Sequence, residues 1–273
     1  MRWCGVGAAI AVLALLASGC AAKGGSFAAG DAGSDANPFN DKDSGAPPVT
    51  AEFFGHTGTT LYRVDPVSRA TTAVGNFDGC TYINDIAIDK RGVIYGTTGT
   101  SLWTLSGVDA HCTLVAKGTF PNSLSFVPAN VLAPDETLVG FEGADYVRID
   151  TTSGVKSKVG AMAGGYTSSG DVVSVINGPT YVTVKGNGCG DCLVEVDPKT
   201  GSITKNWGDV GHVDVFGIAF WAGKVYGFAN DGTLFEAAFT NGAVQATTIP
   251  VSGPALAWAG AGSTTAAPLV APN

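Results

Sequence analysis

Histidine and basic side chains are scarce in this chain, and several catalytic signatures are missing from it. Only His56, His111 and His212 occur among 273 residues. None has a partner at H-x-x-x-H or H-E-x-x-H spacing, so no metal site is expected. There is no G-x-S-x-G nucleophile elbow and no phosphate-cradling glycine motif, and no cofactor is expected either. Lys and Arg number 15 against 23 Asp and Glu, a net charge of −8 at pH 7. Such a domain approaches phosphates against its own field, which argues against nucleic acid and anionic membrane surfaces as partners. Beyond the first twenty residues no apolar run nears the ~18 residues of a spanning helix.

What is present is a repeat. The phrases Leu61-Tyr62-Arg63-Val64-Asp65, Leu102-Trp103-Thr104-Leu105, Tyr146-Val147-Arg148-Ile149-Asp150, Leu193-Val194-Glu195-Val196-Asp197 and Leu234-Phe235-Glu236 follow one another at 41, 44, 47 and 41 residues. A repeat of roughly 40–45 residues built only of strand-like segments is the pattern of a β-propeller, one four-stranded blade per repeat. The 39 glycines suit a fold that turns every few residues. Aligned, the repeats give four strand types. Strand a includes Asp85–Ile88, Ser123–Phe126, Asp171–Ser174, Gly217–Phe220 and Ala255–Trp258. Strand b ends on glycine in most copies, as in Phe54-Gly55 and Tyr95-Gly96, strand c is the repeated phrase, and strand d follows it. The fold class expected is all-β, a five-bladed propeller over residues 51–260. Because the domain opens on a strand b and closes on a strand a, Leu256–Trp258 is expected to pair with Phe53–Phe54. That pairing seals the ring and removes exposed sheet edges.

The first twenty residues carry an address. Arg2 precedes the apolar stretch Val6–Leu16, and Leu16-Ala17-Ser18-Gly19-Cys20 resembles the lipobox of bacterial lipoproteins, with Ala17 where that family more often has Leu. The resemblance implies removal of residues 1–19, lipidation of Cys20 and attachment to a membrane through the acyl chains. It places the protein in the cell envelope, outside the cytoplasm. Ala21 is not the aspartate that retains some lipoproteins at an inner membrane, which points to the outer membrane in a diderm host. Residues 20–50 are Gly, Ala, Ser, Asp and Pro with little to bury, and are expected to be a disordered tether. Residues 261–273 are expected to be a flexible tail. The pieces Leu-Tyr-Arg-Val-Asp-Pro (61–66) and Leu-Val-Glu-Val-Asp-Pro-Lys-Thr-Gly (193–201) resemble NHL- and YVTN-type bacterial propellers. That resemblance implies a fold and no activity, since propellers host many functions.

Antiparallel order puts the d–a and b–c loops at one end of the ring. There the sequence places Asn84, Asp85, Asn122, Ser123, Ser169, Asp171, His212, Asp214 and His56. This channel mouth is the expected ligand face. Asp85, Asp171 and Asp214 admit a reading as acid and base of a carbohydrate-active enzyme; against it stands a second, in which Asp85 and Asp171, each heading a strand a, accept hydrogen bonds from the neighbouring d–a loop and fix blade packing. The second is favoured. In an oxidising envelope Cys189 and Cys192 are expected to close a local disulfide. Cys80 and Cys112 remain by elimination. The topology places them at opposite ends of a blade, while a disulfide needs Cα atoms within ~7 Å, so their pairing stays open. The function expected is a non-catalytic binding module, a monomer with an envelope protein or glycan as partner. The alternatives are a glycan-processing enzyme and a structural component of an envelope assembly.

Overall fold

A computed structural model describes residues 53–251 and 255–272. The leader, Cys20 and the tether lie outside the described residues. The described chain forms five antiparallel four-stranded sheets around one axis, a five-bladed β-propeller. In the order a to d, blade 1 is Trp258–Gly262, Phe53–Thr57, Thr60–Val64 and Thr71–Asn76. Blade 2 is Asp85–Ile88, Ile94–Thr98, Ser101–Leu105 and Cys112–Lys117. Blade 3 is Leu124–Val127, Thr137–Glu142, Asp145–Ile149 and Lys156–Ala161. Blade 4 is Thr167–Ser174, Thr180–Gly186, Cys189–Val196 and Ile203–Asp209. Blade 5 is Val215–Trp221, Lys224–Ala229, Leu234–Thr240 and Ala243–Ile249. Strands a and b are largely buried on both faces, because each sheet is packed between two others; strands c carry some exposed residues, such as Arg63 and Arg148, and strands d are mostly half-buried or exposed.

Local chemistry makes the repeated turns. Asp65, Asp150 and Asp197 each accept a backbone N–H two residues on, from Val67 (2.7 Å), Thr152 (3.0 Å) and Lys199 (2.8 Å). The fourth residue after each aspartate then enters the left-handed region, Arg69 at φ 63°, Gly154 at 70° and Gly201 at 72°. Its N–H bonds back to the aspartate carbonyl. Blade 5 replaces this with Asn241-Gly242, both at positive φ, the signature of a two-residue hairpin.

Ring closure occurs with a different register from the one expected. Strand a of blade 1 is Trp258–Gly262, and its partners are Thr57↔Trp258, His56↔Gly260, Gly55↔Ala261 and Phe54↔Gly262. Leu256 precedes the strand. The small residues of 258–262 suit a strand pressed against two neighbours at the axis: a Cβ on Gly217 of blade 5 would overlap the Ala261 amide nitrogen. The apolar Ala-Leu-Ala run, which lacks those glycines, does not enter the sheet. Trp258 is fully buried and packs edge-on against Phe228 (5.0 Å) and Tyr62 (5.5 Å). Burying one such ring contributes about 4–6 kcal/mol before chain-ordering costs.

The segment after closure is not a free tail. Ser263 Oγ accepts the Phe220 N–H (2.9 Å), Thr264 bridges Ile88, and the Thr265 carbonyl accepts the Ile176 N–H (2.8 Å). The Thr265 hydroxyl bonds Glu136, and the Pro268 carbonyl accepts the Ala222 N–H (2.8 Å). These partners lie at or beside the a–b loops of blades 2 to 5, so the segment crosses and covers that end of the ring. Backbone pairing overrides an Ala/Pro composition that reads as disordered.

Both disulfides are formed, Cys189–Cys192 and Cys80–Cys112, with Cα separations of 5.6 and 5.7 Å. The second resolves the question left by topology. Neighbouring strands rotate by roughly 20–25° each, so a strand d is turned far from its own strand a. The end of strand d in blade 1 leans over the c–d turn of blade 2. Asp78 N–H donates to Ala110 O (3.3 Å) and Cys112 N–H to Asp78 O (2.7 Å), which brings Cys80 to Cys112. The bond therefore links two blades. Its sequence separation is 32 residues, and closing a loop of that size restricts the unfolded chain by about 3–4 kcal/mol. Cys112→Ala is expected to lower unfolding free energy by about that amount in urea titrations under oxidising conditions. With dithiothreitol present the difference from the parent protein should vanish.

Candidate functional site

The axis is built from strands a. Asp85 and Asp171 head or enter these strands in blades 2 and 4, and both are fully buried. Asp85 Oδ1 accepts its own strand's Ile86 N–H (2.9 Å), while Oδ2 accepts Leu124 N–H of blade 3 (2.7 Å). Asp171 repeats the arrangement with Val172 N–H (2.6 Å) and Ile218 N–H of blade 5 (2.7 Å). Each carboxyl thus ties the inner strand of its own blade to that of the next, with the donor in the neighbouring strand a and not in the d–a loop expected.

The two carboxyls lie close enough to interact with each other. Burial raises both pKa values. For Asp85 the charge of Asp171 adds to that rise, and Asp171 is pushed up to about 8. Two carboxyls buried side by side release a proton less readily than exposed ones. His56 completes the group. Its Nδ1–H donates to Thr57 O (2.9 Å), and Nε2 is buried with no partner among the described residues. A Cβ on Gly260 would overlap His56 Nε2 and lie 2.6 Å from Asp85 Oδ1, so imidazole and carboxyl meet in the space this glycine leaves. Burial lowers the His56 pKa to about 4, and the ring is neutral.

The structure thus brings His56, Asp85 and Asp171 together and sets them beneath the surface. Above them is a cleft of about 380 Å3 lined by residues from all five blades, among them Asn84, Asn122, Gly170, Phe216 and Ala259. This is the expected mouth, and Asn84 and Asn122 are the residues of the expected ligand face that line it. His212 and Asp214 lie elsewhere on the same end. His212 stacks on Phe235 (4.4 Å), and Asp214 is an exposed residue at φ 55° whose carbonyl accepts the Asn230 N–H. Neither joins the buried pair.

Next to the cleft, and sharing Tyr82 and Asn84 with it, is a groove of about 750 Å3 between the 77–84 connection and the b–c hairpin of blade 2. Sequence reasoning missed Tyr82, Thr98 and Phe77, which line it together with Trp103. Tyr82 is 74% exposed. An aromatic residue within the short stretch between Cys80 and Asn84, in a loop at the mouth end, was the available signal. The other large indoles do pack: Trp221 and Trp258 are buried, and Trp207 donates to Glu195 (2.9 Å).

No protein-family model matches this chain, and no curated protein matches it in sequence. Among solved structures it is similar to a protein of unknown function from Bacteroides caccae, at 10% identity and TM-score 0.44 over 76% of each chain. It is similar to BamB from Moraxella catarrhalis at 14% identity and TM-score 0.36, over 73% of this chain and 58% of that one. An oligogalacturonate lyase in complex with manganese gives 14% identity and TM-score 0.38, over 71% and 61%. At such values no residue role passes to this chain.

The buried groups set the pH dependence of stability. With Asp171 held above its ordinary value, the folded protein binds more protons than the unfolded chain, and stability falls as pH rises from about 4 to about 8. His56 acts in the opposite sense, removing stability as pH falls from about 6.5 to about 4. Nearer pH 6.5 the titration of unfolded His56 opposes the carboxyl effect, which operates nearly alone above about pH 7.5. Unfolding free energy should decline there by about 1 kcal/mol per pH unit for each proton involved. Urea titrations at a series of pH values check this, and Asp171→Asn should make the decline shallower.

Proposed function

We propose that this protein is a non-catalytic binding module of a bacterial cell envelope, held on a lipid-anchored tether and engaging its partner through the open end of the propeller. The observation that carries the reading is the difference between the two ends. One is covered by residues 263–268, and the other has a cleft to which every blade contributes. Two disulfides in the described residues favour an oxidising compartment. Membrane attachment rests on the resemblance of residues 16–20 to a lipobox.

The glycan-processing reading needs two carboxyls that reach a substrate. Asp85 and Asp171 are adjacent, which favours it, but both are fully buried and each is engaged by two backbone N–H groups. Water and substrate would have to displace bonds that join the blades. An assembly role through the blade sides would call for a continuous apolar patch. The exposed Val67, Val108 and Val155 instead belong to the c–d turns of three different blades.

Two measurements test this reading. A photoreactive phenylalanine analogue at Asn122, in the mouth, is expected to yield envelope adducts on illumination, and the same analogue at Ile176, at the covered end, is not. Adducts from Ile176 alone would favour a structural role. Cys20→Ser is expected to move the protein from the membrane to the soluble fraction; persistence in the membrane would remove the anchor from the proposal.

A further inference from the structure

The groove beside the axial cleft has an unusual lining for so acidic a chain. No Asp, Glu, Lys, Arg or His lines it or the adjoining cleft among the described residues. It offers three aromatic side chains, Phe77, Tyr82 and Trp103, together with the neutral amide of Asn84 and the hydroxyls of Thr98 and Ser101. Its volume of about 750 Å3 falls within the range of small-ligand sites.

Tyr82 is displayed there at a cost. Its φ of 55° lies in the left-handed region, which burdens a bulky residue by about 1–3 kcal/mol. The loop is pinned on both sides of it: Cys80 is bonded to Cys112, Ile83 is buried, and Asn84 N–H donates to Thr97 O (2.7 Å). The ring gains no burial from this. The Trp103 ring, half-buried, adds apolar surface to the same groove.

We infer that this groove binds a neutral oligosaccharide. The Tyr82 ring would lie against the apolar face of one sugar, while the Asn84 amide and the hydroxyls of Thr98 and Ser101 bond its hydroxyl groups. The inference rests on the reading of the open end as a binding face and names the ligand class. Two observations separate it from other ligands. An ionic ligand would find no counter-charge in the lining. An extended peptide would find no free strand edge, because Thr98 and Ser101 belong to strands b and c of blade 2, each paired on both sides.

The test uses the full chain in detergent micelles. Hexamers of N-acetylglucosamine, glucose in β-1,4 linkage and glucose in α-1,4 linkage serve as neutral probes, with hexagalacturonate as the acidic one. Binding is followed by tryptophan fluorescence and calorimetry. At least one neutral hexamer is expected to bind saturably. Tyr82→Ala should weaken it by about tenfold or more, as loss of an aromatic anchor does, with the unfolding midpoint retained. Asn84→Ala, which leaves the ring in place, should weaken it less. Saturable binding of hexagalacturonate alone, or no binding of any neutral hexamer, overturns the inference. So does neutral binding unchanged in both variants. In those cases adducts from Asn122 would show that the open end still binds a partner of another class, and their absence as well would remove both readings.

Discussion

Five sheets can converge on one axis only if the inner edge of each is buried without a further strand to pair it. An unpaired N–H in that position costs about as much as a lost hydrogen bond. In this propeller the Leu124 and Ile218 N–H groups are satisfied by the carboxyls of Asp85 and Asp171, each reaching from the preceding blade. Gly217 and Gly260 allow the inner strands and these side chains to come close enough. The carboxyls are thereby excluded from water and set against one another, which is why they hold a proton that exposed aspartates would release. Blade spacing, axial closure and raised acidity constants are consequences of one arrangement.

That arrangement also shapes the surface. The groups best equipped for acid–base chemistry are committed to joining blades, and the groove at the open end is left with aromatic, amide and hydroxyl groups. The opposite end is covered by the segment that follows the closing strand. A ring whose ends differ in this way presents one face, and the disulfide between blades 1 and 2 stiffens the loop that forms its most exposed wall.

Much of this was legible in the residues. The returning Leu-aromatic phrase located all five copies of strand c, because the buried positions in it, such as Leu61, Leu102, Tyr146, Leu193 and Leu234, recur with each blade. The Asp-Pro-x-Thr-Gly turn was readable because Asp197 acts on N–H groups only a few residues away. That Asp85 and Asp171 fix blade packing was among the readings the sequence allowed, but with the donors in a d–a loop and not in the neighbouring strand a. The final strand was misplaced by two to four residues: Ala-Leu-Ala looks more strand-like than Ala-Gly-Ala-Gly, and the need for glycine at the axis comes from other blades. Residues 263–268 read as a loose tail because their stabilising partners are all distant in sequence.

Local and periodic information, namely the strand count, the turn chemistry, the even division into blades and the charge balance, was determined by the chain itself. Each such property depends on residues close together or on a pattern repeated often enough to average out exceptions. The tertiary structure decided the pairing of Cys80 with Cys112, the meeting of His56 with Asp85 across Gly260, and the grouping of Tyr82 with Trp103. These depend on sheet twist and on the angle between blades, which accumulate over many residues and are written at no single position.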